Sequence, residues 1–127
     1  TGLDPDLVST APTTSTPQDL ILLTQYLLIN HPEIIEILSL ESHDLYSANG
    51  IYHHTMSNTN ELLSYDQWPT KVIGGKTGWT PLAQGNLILI AESPKEKGYL
   101  IHVVLGTQDR FAEMKRLVNW VYESHNW

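Results

Sequence analysis

The segment KVIGGKTGWT, residues 71–80, sets a lysine and a threonine among three glycines, directly after two β-branched residues. Val72 and Ile73 favour an extended backbone, so the segment predicts a strand over residues 72–77. Glycines within a strand are typical of a bulge, a bend or a close approach by another backbone. Lys76 adds a positive charge there and Thr77 adds a hydroxyl donor. A strand of this kind beside a cleft can pair with an extended peptide.

Two further strands are predicted after this segment. The run NLILIAE, residues 86–92, is continuously apolar, as expected for a strand that is covered on both faces. The turn SPKEKG, residues 93–98, connects it to YLIHVVLG, residues 99–106, and so short a connection indicates antiparallel pairing. The Asn-Gly and Asn-Thr-Asn clusters of residues 41–65 indicate short strands and turns.

Helices are predicted on both sides of these strands. Thr16-Pro17-Gln18-Asp19 has the signature of a helix start, with a hydroxyl N-cap, an early proline and an acid in the first turn. The apolar face of that helix is predicted from its leucines: Leu20, Leu23, Leu27 and Leu28. His31-Pro32 ends the helix and begins a short second one. A last amphipathic helix follows Asp109, its predicted cap. This order predicts an α/β (α+β) fold, an antiparallel sheet flanked by helices.

Composition excludes several classes of protein. A chain of 127 residues that is 41% hydrophobic suits one packed domain or part of one. The net charge of -7 argues against nucleic acid as a partner, because phosphate binding needs a basic surface. The absence of cysteine excludes a thiolate nucleophile and a zinc–thiolate site. No apolar run is long enough to cross a bilayer, and no signal peptide opens the chain. Because the chain starts without methionine, we expect a processed or truncated product.

Several landmarks together resemble the penicillin-binding D-alanyl-D-alanine carboxypeptidases, the serine peptidases that trim peptidoglycan stems. In chain order they are TGLD (residues 1–4), STAPTTSTPQDLILLTQYLL (9–28), NTNELL (58–63), GGKTGWT (74–80), AQGNLILIAE (83–92) and LIHVVLG (100–106). Lys-Thr-Gly is one of three motifs of the penicillin-recognising serine acyl enzymes. The resemblance covers nearly the whole chain and implies the C-terminal portion of a β-lactamase/transpeptidase-like fold.

The resemblance implies roles for four residues of the central segment. Lys76 would shape the electrostatic field of the active site, and Thr77 would bind the terminal carboxylate of D-Ala-D-Ala or of a β-lactam. Gly78 would leave room for the ligand beside the strand. The backbone N–H of Trp79 would be one of two oxyanion-hole donors. The resemblance implies no cofactor and no metal ion.

The serine nucleophile of this family is absent from the sequence. It belongs to a Ser-x-x-Lys motif, and none of the nine serines has a lysine three residues later. Ser47-Ala48-Asn49 and Ser124-His125-Asn126 spell the second motif, Ser-x-Asn, but stand in the wrong place in the family order. We therefore expect residues 1–127 to be the C-terminal portion of one transpeptidase-like catalytic domain, inactive without its N-terminal portion.

This expectation has consequences for partners and location. Without the N-terminal portion, the apolar strands at residues 87–90 and 101–105 are expected to expose surface. The chain is therefore expected to associate with that missing half or with another copy. The family's ligands are peptidoglycan stem peptides and β-lactams, which implies an extracytoplasmic location in the bacterial cell envelope.

Two alternatives to a carboxypeptidase stay open. One is a fragment of a class A β-lactamase, although no glutamate here has the asparagine four residues later that usually follows the deacylating glutamate. The other is a non-catalytic relative that binds cell-wall peptide or another protein in the same groove. Whether Ser-x-x-Lys and Ser-x-Asn occur upstream distinguishes an enzyme from such a relative.

Other polar clusters are interpreted as structural. The spacing of His53-His54 matches no metal motif, and the adjacent Ser42-His43-Asp44 does not make a triad, because triads are assembled from distant segments. His102 lies in an apolar strand and is predicted to be a sheet residue. Asn58 and Asn60 are predicted to fix the backbone near the cleft. Arg110 is predicted to pair with an acid near the last helix, with a substrate role as the alternative.

Overall fold

The computed structural model describes residue 4, residues 13–95 and residues 98–127. Its elements in chain order are α1 (Pro17–Asn30), α2 (Pro32–Ser39), β1 (Ser42–Tyr46), β2 (Tyr52–Ser57), β3 (Val72–Thr80), β4 (Gln84–Glu92), β5 (Tyr99–Thr107) and α3 (Arg110–Ser124). Most of the Thr-Gly-Leu-Asp segment, the first part of the Ser-Thr-Pro loop and two residues of the turn after β4 lie outside the described residues. The predicted helices and strands are confirmed, and all three strands extend further than predicted.

The strands form two separate antiparallel sheets. In the larger sheet the order is β3-β4-β5, with Thr77 opposite Leu87 and Leu89 opposite His102. The smaller sheet is the hairpin β1-β2, which accounts for the short strands predicted between residues 41 and 65. Since β4 lies in the centre, β3 and β5 are the edges of the larger sheet within the described residues.

The main core lies between one face of the larger sheet and α3. Leu87 and Leu89 of β4 pack there against Met114 and Val118 of α3, together with Leu62 from the loop before β3. The cap predicted for α3 is confirmed, because Asp109 accepts hydrogen bonds from the first backbone N–H groups of the helix. This packing leaves the N-terminus of α3 beside the end of β5.

Helices α1 and α2 cover the other face of the sheet, so one prediction about exposure is wrong. Helix α1 contacts β5 and α2 contacts β3, and Ile35 of α2 is buried. Within β4, Leu87, Leu89 and Ile90 are at most 1% exposed, although this strand was expected to expose apolar surface. The strand is buried because it lies at the centre of the sheet and this chain supplies a helical layer on each face. The residues of β5 from 101 to 105 are half-buried, except His102, which is buried.

The exposed apolar surface lies instead on the helices and the hairpin. The inward face of α1 includes buried Thr24, whereas Leu23, predicted to face the core, is 52% exposed. On α1 and α2 the large exposed side chains are Leu22, Leu23, Tyr26, Ile29, Ile34 and Ile37. None of the helices in the described residues is long and apolar enough to cross a membrane. Many of the exposed large apolar side chains in the described residues therefore lie on α1, α2 and the hairpin.

Candidate functional site

The four residues singled out from the sequence lie side by side on β3, at an edge of the described sheet. Lys76 and Gly78 pair with Ile88 and Asn86 of β4, whereas Thr77 and Trp79 pair with alternate residues and project from the opposite face. Lys76 and Gly78 are exposed, Trp79 is 58% exposed and Thr77 is half-buried. Along one edge, this strand thus presents a cation, a hydroxyl and a glycine to solvent.

The hydroxyl of Thr77 contacts a second threonine hydroxyl. Its Oγ1 lies 2.5 Å from Oγ1 of Thr59, a residue of the loop that follows the hairpin. Either hydroxyl can donate in this contact. The structure therefore pairs the hydroxyl predicted to bind an anion with a second one, from a residue that sequence analysis did not single out.

The asparagines on either side of Thr59 hold this loop in place. Asn58 donates from Nδ2 to the Leu40 carbonyl, 2.9 Å, and accepts from the backbone N–H of Asn60, 2.9 Å. Asn60 is 2% exposed and accepts from the N–H of Leu62, 3.2 Å. Both side chains thus bind backbone groups.

Gly75 makes room for this loop against the sheet. A Cβ atom at Gly75 would lie 2.8 Å from Nδ2 of Asn60 and 2.5 Å from the Ile88 carbonyl oxygen. At Gly78 the added Cβ would meet only Cβ of Asn86, at 3.8 Å. The two glycines therefore differ: Gly75 is needed for packing, and Gly78 leaves open space beside the strand.

Two cations lie near this edge without a carboxylate partner in the described part of the chain. Lys76 Nζ donates to the Thr77 carbonyl, 2.5 Å, and takes part in none of the ion pairs found there. The guanidinium of Arg110 lies 4.6 Å from the Phe111 ring centroid, and its buried Nε has no hydrogen-bond partner among the described residues. The acid predicted to pair with Arg110 is thus not found in those residues.

Asp4 fastens the turn that follows β3. Its carboxylate accepts hydrogen bonds from the Thr80 hydroxyl and from the backbone N–H of Leu82, the latter at 3.0 Å. The Thr80 oxygen in turn accepts from the N–H of Ala83, 3.0 Å. Asp4 thereby joins the start of the chain to the turn that begins directly after Trp79.

Replacing Asp4 by alanine is expected to lower the free energy of unfolding by about 1–2 kcal/mol, because two hydrogen bonds to a carboxylate are lost at a partly buried position. The measurement is urea denaturation. The matched control is Asp66→Ala, which removes an exposed carboxylate from a loop and should change stability by less than about 0.5 kcal/mol. Equal losses in the two variants would show that the Asp4 contacts contribute nothing.

Two grooves of the described residues lie away from these four residues. One, of about 900 Å³, runs along the free edge of β5 beside α3, and another, of about 560 Å³, lies between α2 and the start of β3. Neither is lined by Lys76, Thr77, Gly78 or Trp79. At the edge of β3, Lys76, Gly78 and Trp79 are exposed to solvent.

The other polar clusters make local contacts. His53 and His54 contact one another, and the described residues contain no group of three or more His, Asp or Glu side chains that could hold a metal ion. Asp44 of the apparent triad accepts from the Thr55 hydroxyl. Ser47 of the first Ser-x-Asn spelling donates to Asn49 in the hairpin turn.

Comparison with known sequences identifies the family. The family model described as D-alanyl-D-alanine carboxypeptidase matches residues 1–109, which include the whole of β3. The chain belongs to this family. The resemblance inferred from the motifs is thus confirmed. No curated protein matches the chain in sequence.

Solved structures share the fold of this carboxypeptidase-family chain. A serine-to-alanine mutant of the Streptomyces K15 DD-transpeptidase gives a TM-score of 0.74 at 23% identity, over 91% of this chain and 45% of that chain. The D-alanyl-D-alanine carboxypeptidase of Mycobacterium tuberculosis gives a TM-score of 0.67 at 25% identity, over 88% of this chain and 41% of that chain. An evolved putative penicillin-binding protein homolog of the same organism gives a TM-score of 0.68 at 22% identity, over 87% of this chain and 41% of that chain. The antiparallel sheet flanked by helices is thus confirmed, and the chain spans less than half the length of each.

Proposed function

We propose that this chain supplies the substrate-binding strand of a serine-type D-Ala-D-Ala carboxypeptidase that acts on peptidoglycan stem peptides through an acyl-enzyme. Membership of the family supports the reaction class. The observation that carries the proposal is the edge of β3 in the described sheet, where exposed Lys76 and Gly78 stand on either side of Thr77 along the strand. The serine nucleophile is proposed to come from polypeptide outside these 127 residues, since no Ser-x-x-Lys occurs in them.

Each of the four residues has a physical task in this proposal. The Thr77 hydroxyl donates to the terminal carboxylate of the stem peptide or to the carboxylate of a β-lactam, and the positive charge of Lys76 shapes the electrostatic field of the site. Gly78 leaves space for the peptide backbone, which adds as a further strand along β3. The Trp79 N–H donates to the oxyanion that forms when the serine attacks the peptide carbonyl. Arg110 is a second candidate cation for the carboxylate, because its Cβ lies 3.3 Å from the Cβ position of Gly85, the residue opposite Trp79.

The remainder of the catalytic domain is proposed to pack on the apolar helical surface. Residues 1–127 then form the C-terminal portion of one transpeptidase-like domain, which is inactive alone. Leu22, Tyr26 and Ile29 of α1 are more than half exposed and are suited to burial against a second polypeptide surface. That surface is proposed to be the N-terminal portion, with a second copy as the alternative. An extracytoplasmic location in the bacterial cell envelope follows from the proposed substrate.

A test of the proposal uses two ligands that differ only in charge. N-acetyl-D-Ala-D-Ala and its C-terminal amide are titrated into the 127-residue chain, and the backbone amide shifts of β3 are followed by NMR. The wild type is expected to bind the acid more tightly than the amide, and Thr77→Val is expected to weaken acid binding about tenfold, because a hydrogen bond to a charged group is lost. The control Thr55→Val removes a hydroxyl from the hairpin and should change neither affinity.

The same experiment can overturn the proposal. Equal wild-type affinities for the acid and the amide would show that the edge of β3 does not recognise a carboxylate. Labelling of the parent polypeptide by fluorescent penicillin is expected, because the parent is proposed to contain the serine, the lysine of Ser-x-x-Lys that activates it, and this binding edge. Acid-selective binding without labelling would favour the second candidate, a non-catalytic peptide-binding relative.

A further inference from the structure

We propose that Thr59 is a positioning residue for carboxylate recognition, whose hydroxyl donates to Thr77 and turns the Thr77 proton toward the bound anion. This inference rests on the proposed function of Thr77. It starts from the 2.5 Å contact between the two Oγ1 atoms, which joins residues 18 positions apart in the chain. A contact this short between two hydroxyls is a hydrogen bond, so one of the two protons is committed to it.

The number of protons decides what the pair can offer a ligand. Each hydroxyl has one proton and two acceptor lone pairs, so the pair has one proton left after its internal hydrogen bond. If Thr59 donates to Thr77, the free proton belongs to Thr77, on the strand that carries the proposed site. A carboxylate only accepts hydrogen bonds, and its arrival beside Thr77 therefore selects this direction. Donation into the Thr77 oxygen also polarises the outer hydroxyl and strengthens its bond to the anion.

The surroundings of Thr59 fit a positioning role. Its two neighbours fix the loop, Asn58 through the Leu40 carbonyl and Asn60 through its buried place against Gly75. Thr59 itself is exposed and is not part of the core. Its hydroxyl is therefore directed at Thr77 by a loop whose stability comes from other residues. In this proposal, the two asparagines of the Asn-Thr-Asn segment hold the backbone so that the Thr59 hydroxyl lies beside Thr77.

Fixing a hydroxyl in advance raises affinity because binding no longer has to stop its rotation. Without Thr59, the Thr77 hydroxyl rotates freely and loses its polarising donor. An uncharged ligand end gains less from the oriented proton than a carboxylate does. Thr59 is thus expected to raise the preference for the acid over the amide rather than affinity for both.

The test compares Thr59→Val, which keeps the shape and removes the hydroxyl, with Thr59→Ser, which keeps the hydroxyl. In the titration with N-acetyl-D-Ala-D-Ala and its amide, Thr59→Val is expected to weaken acid binding about threefold to tenfold, with amide binding changed less than about twofold. Thr59→Ser is expected to restore acid binding to within about twofold of the wild type. Thr55→Val serves as the matched control, since it removes a hydroxyl that donates to Asp44 on the hairpin.

A second readout follows Thr77 directly in the unliganded chain. Three-bond couplings of its side chain are expected to report one χ1 rotamer in the wild type and in Thr59→Ser, and averaging among rotamers in Thr59→Val. Thermal denaturation of all variants should give the same midpoint, because Thr59 is exposed.

The outcomes separate this inference from the function on which it rests. If the wild type prefers the acid and Thr59→Val keeps the same preference, Thr59 does not position Thr77 and the inference is wrong, while the proposed function stands. If the wild type shows no preference, the proposed role of Thr77 is wrong and the role of Thr59 falls with it. A parallel loss of acid and amide binding in Thr59→Val would show a purely structural residue and would also overturn the inference.

Discussion

Gly75→Ala is expected to lower the free energy of unfolding by about 3 kcal/mol or more, although it adds a single methyl group. The new Cβ would lie 2.5 Å from the Ile88 carbonyl oxygen and 2.8 Å from Nδ2 of Asn60. The first of these atoms belongs to the backbone of β4 and cannot rotate away. The second belongs to a side chain that is 2% exposed and has little space in which to move. Relief of the overlap therefore requires β3 to separate from β4 or the Asn-Thr-Asn loop to leave the sheet.

The matched control is Gly78→Ala, three residues along the same strand. Its Cβ would meet only Cβ of Asn86, at the ordinary contact distance of 3.8 Å. We expect a change in stability of less than about 0.5 kcal/mol. Urea denaturation of the two variants beside the wild type gives the comparison. Similar losses in both would show that the two glycines are retained for a common reason, such as backbone conformation, and not for the packing of Asn60.

Gly75→Ala also links packing to the proposed site. Because Asn60 and Thr59 are adjacent, displacement of Asn60 moves the Thr59 hydroxyl away from Thr77. In the fraction of Gly75→Ala that stays folded, acid-selective binding is therefore expected to fall as it does in Thr59→Val. A folded variant with unchanged selectivity would indicate that β3, rather than the loop, had moved.

Local signals in the sequence predicted most elements of the fold. The helix start at Thr16 is confirmed as a capping box with Asp19, and Asp109 caps α3. Both depend on a few adjacent residues, which a sequence displays directly. The inward face of α1 was harder to predict from the sequence, because leucine and isoleucine occur on several faces of that helix. Thr24 is buried there, with its hydroxyl bonded to the Leu20 carbonyl at 2.7 Å. Only tertiary packing selects such a face.

In the candidate site too, the features that depend on adjacent residues were predicted from the sequence, and the contacts between distant residues were not. The spacing within Lys-Thr-Gly indicated which residues share a face of β3, because alternation along a strand follows from the backbone alone. The contact of Thr59 with Thr77 spans 18 positions and depends on how the loop folds back over Gly75. Asn58 and Asn60 were predicted to fix the backbone of this loop, but nothing in the sequence indicated a role for Thr59 between them. Asp4 was part of a recognised landmark, yet its contact with the turn after β3 was not predictable from that landmark.

Stability is expected to fall as the pH drops below about 6.5 because of His102. This side chain lies on β5 opposite Leu89, is 4% exposed and stacks on Tyr122 at 6.4 Å between ring centroids. Burial lowers the pKa of His102 below its ordinary value of 6.5, and a contact with the Leu89 backbone opposes this change. That contact is weaker than a hydrogen bond, since neither ring nitrogen has a partner among the described residues. His102 is therefore neutral in the folded chain at neutral pH.

The sign of the effect follows from which state binds the proton first. In the unfolded chain His102 takes up a proton near pH 6.5, whereas in the folded chain it does so only at lower pH. Between these two values the unfolded state binds more protons, so acid favours unfolding. The free energy of unfolding is expected to be constant above this window and to fall within it by up to about 1.4 kcal/mol per pH unit. Urea denaturation at a series of pH values from 8 to 5 measures this slope.

Two substitutions test whether His102 causes the change of the free energy of unfolding with pH. His102→Leu removes the buried imidazole and is expected to abolish most of the pH dependence in this window, while His43→Leu, on the exposed strand β1, should leave it in place. Asp19 and Glu33 do not interfere, since hydrogen bonds lower the pKa of each carboxyl below its ordinary value, 3.8 and 4.5 respectively. Any stability they confer is therefore lost only in more acidic solution. Tyr122 stays uncharged throughout, because burial raises its pKa above the ordinary value of 10.0. A slope that persists in His102→Leu would show that another histidine carries it, and that the core between β5 and α3 tolerates a protonated imidazole.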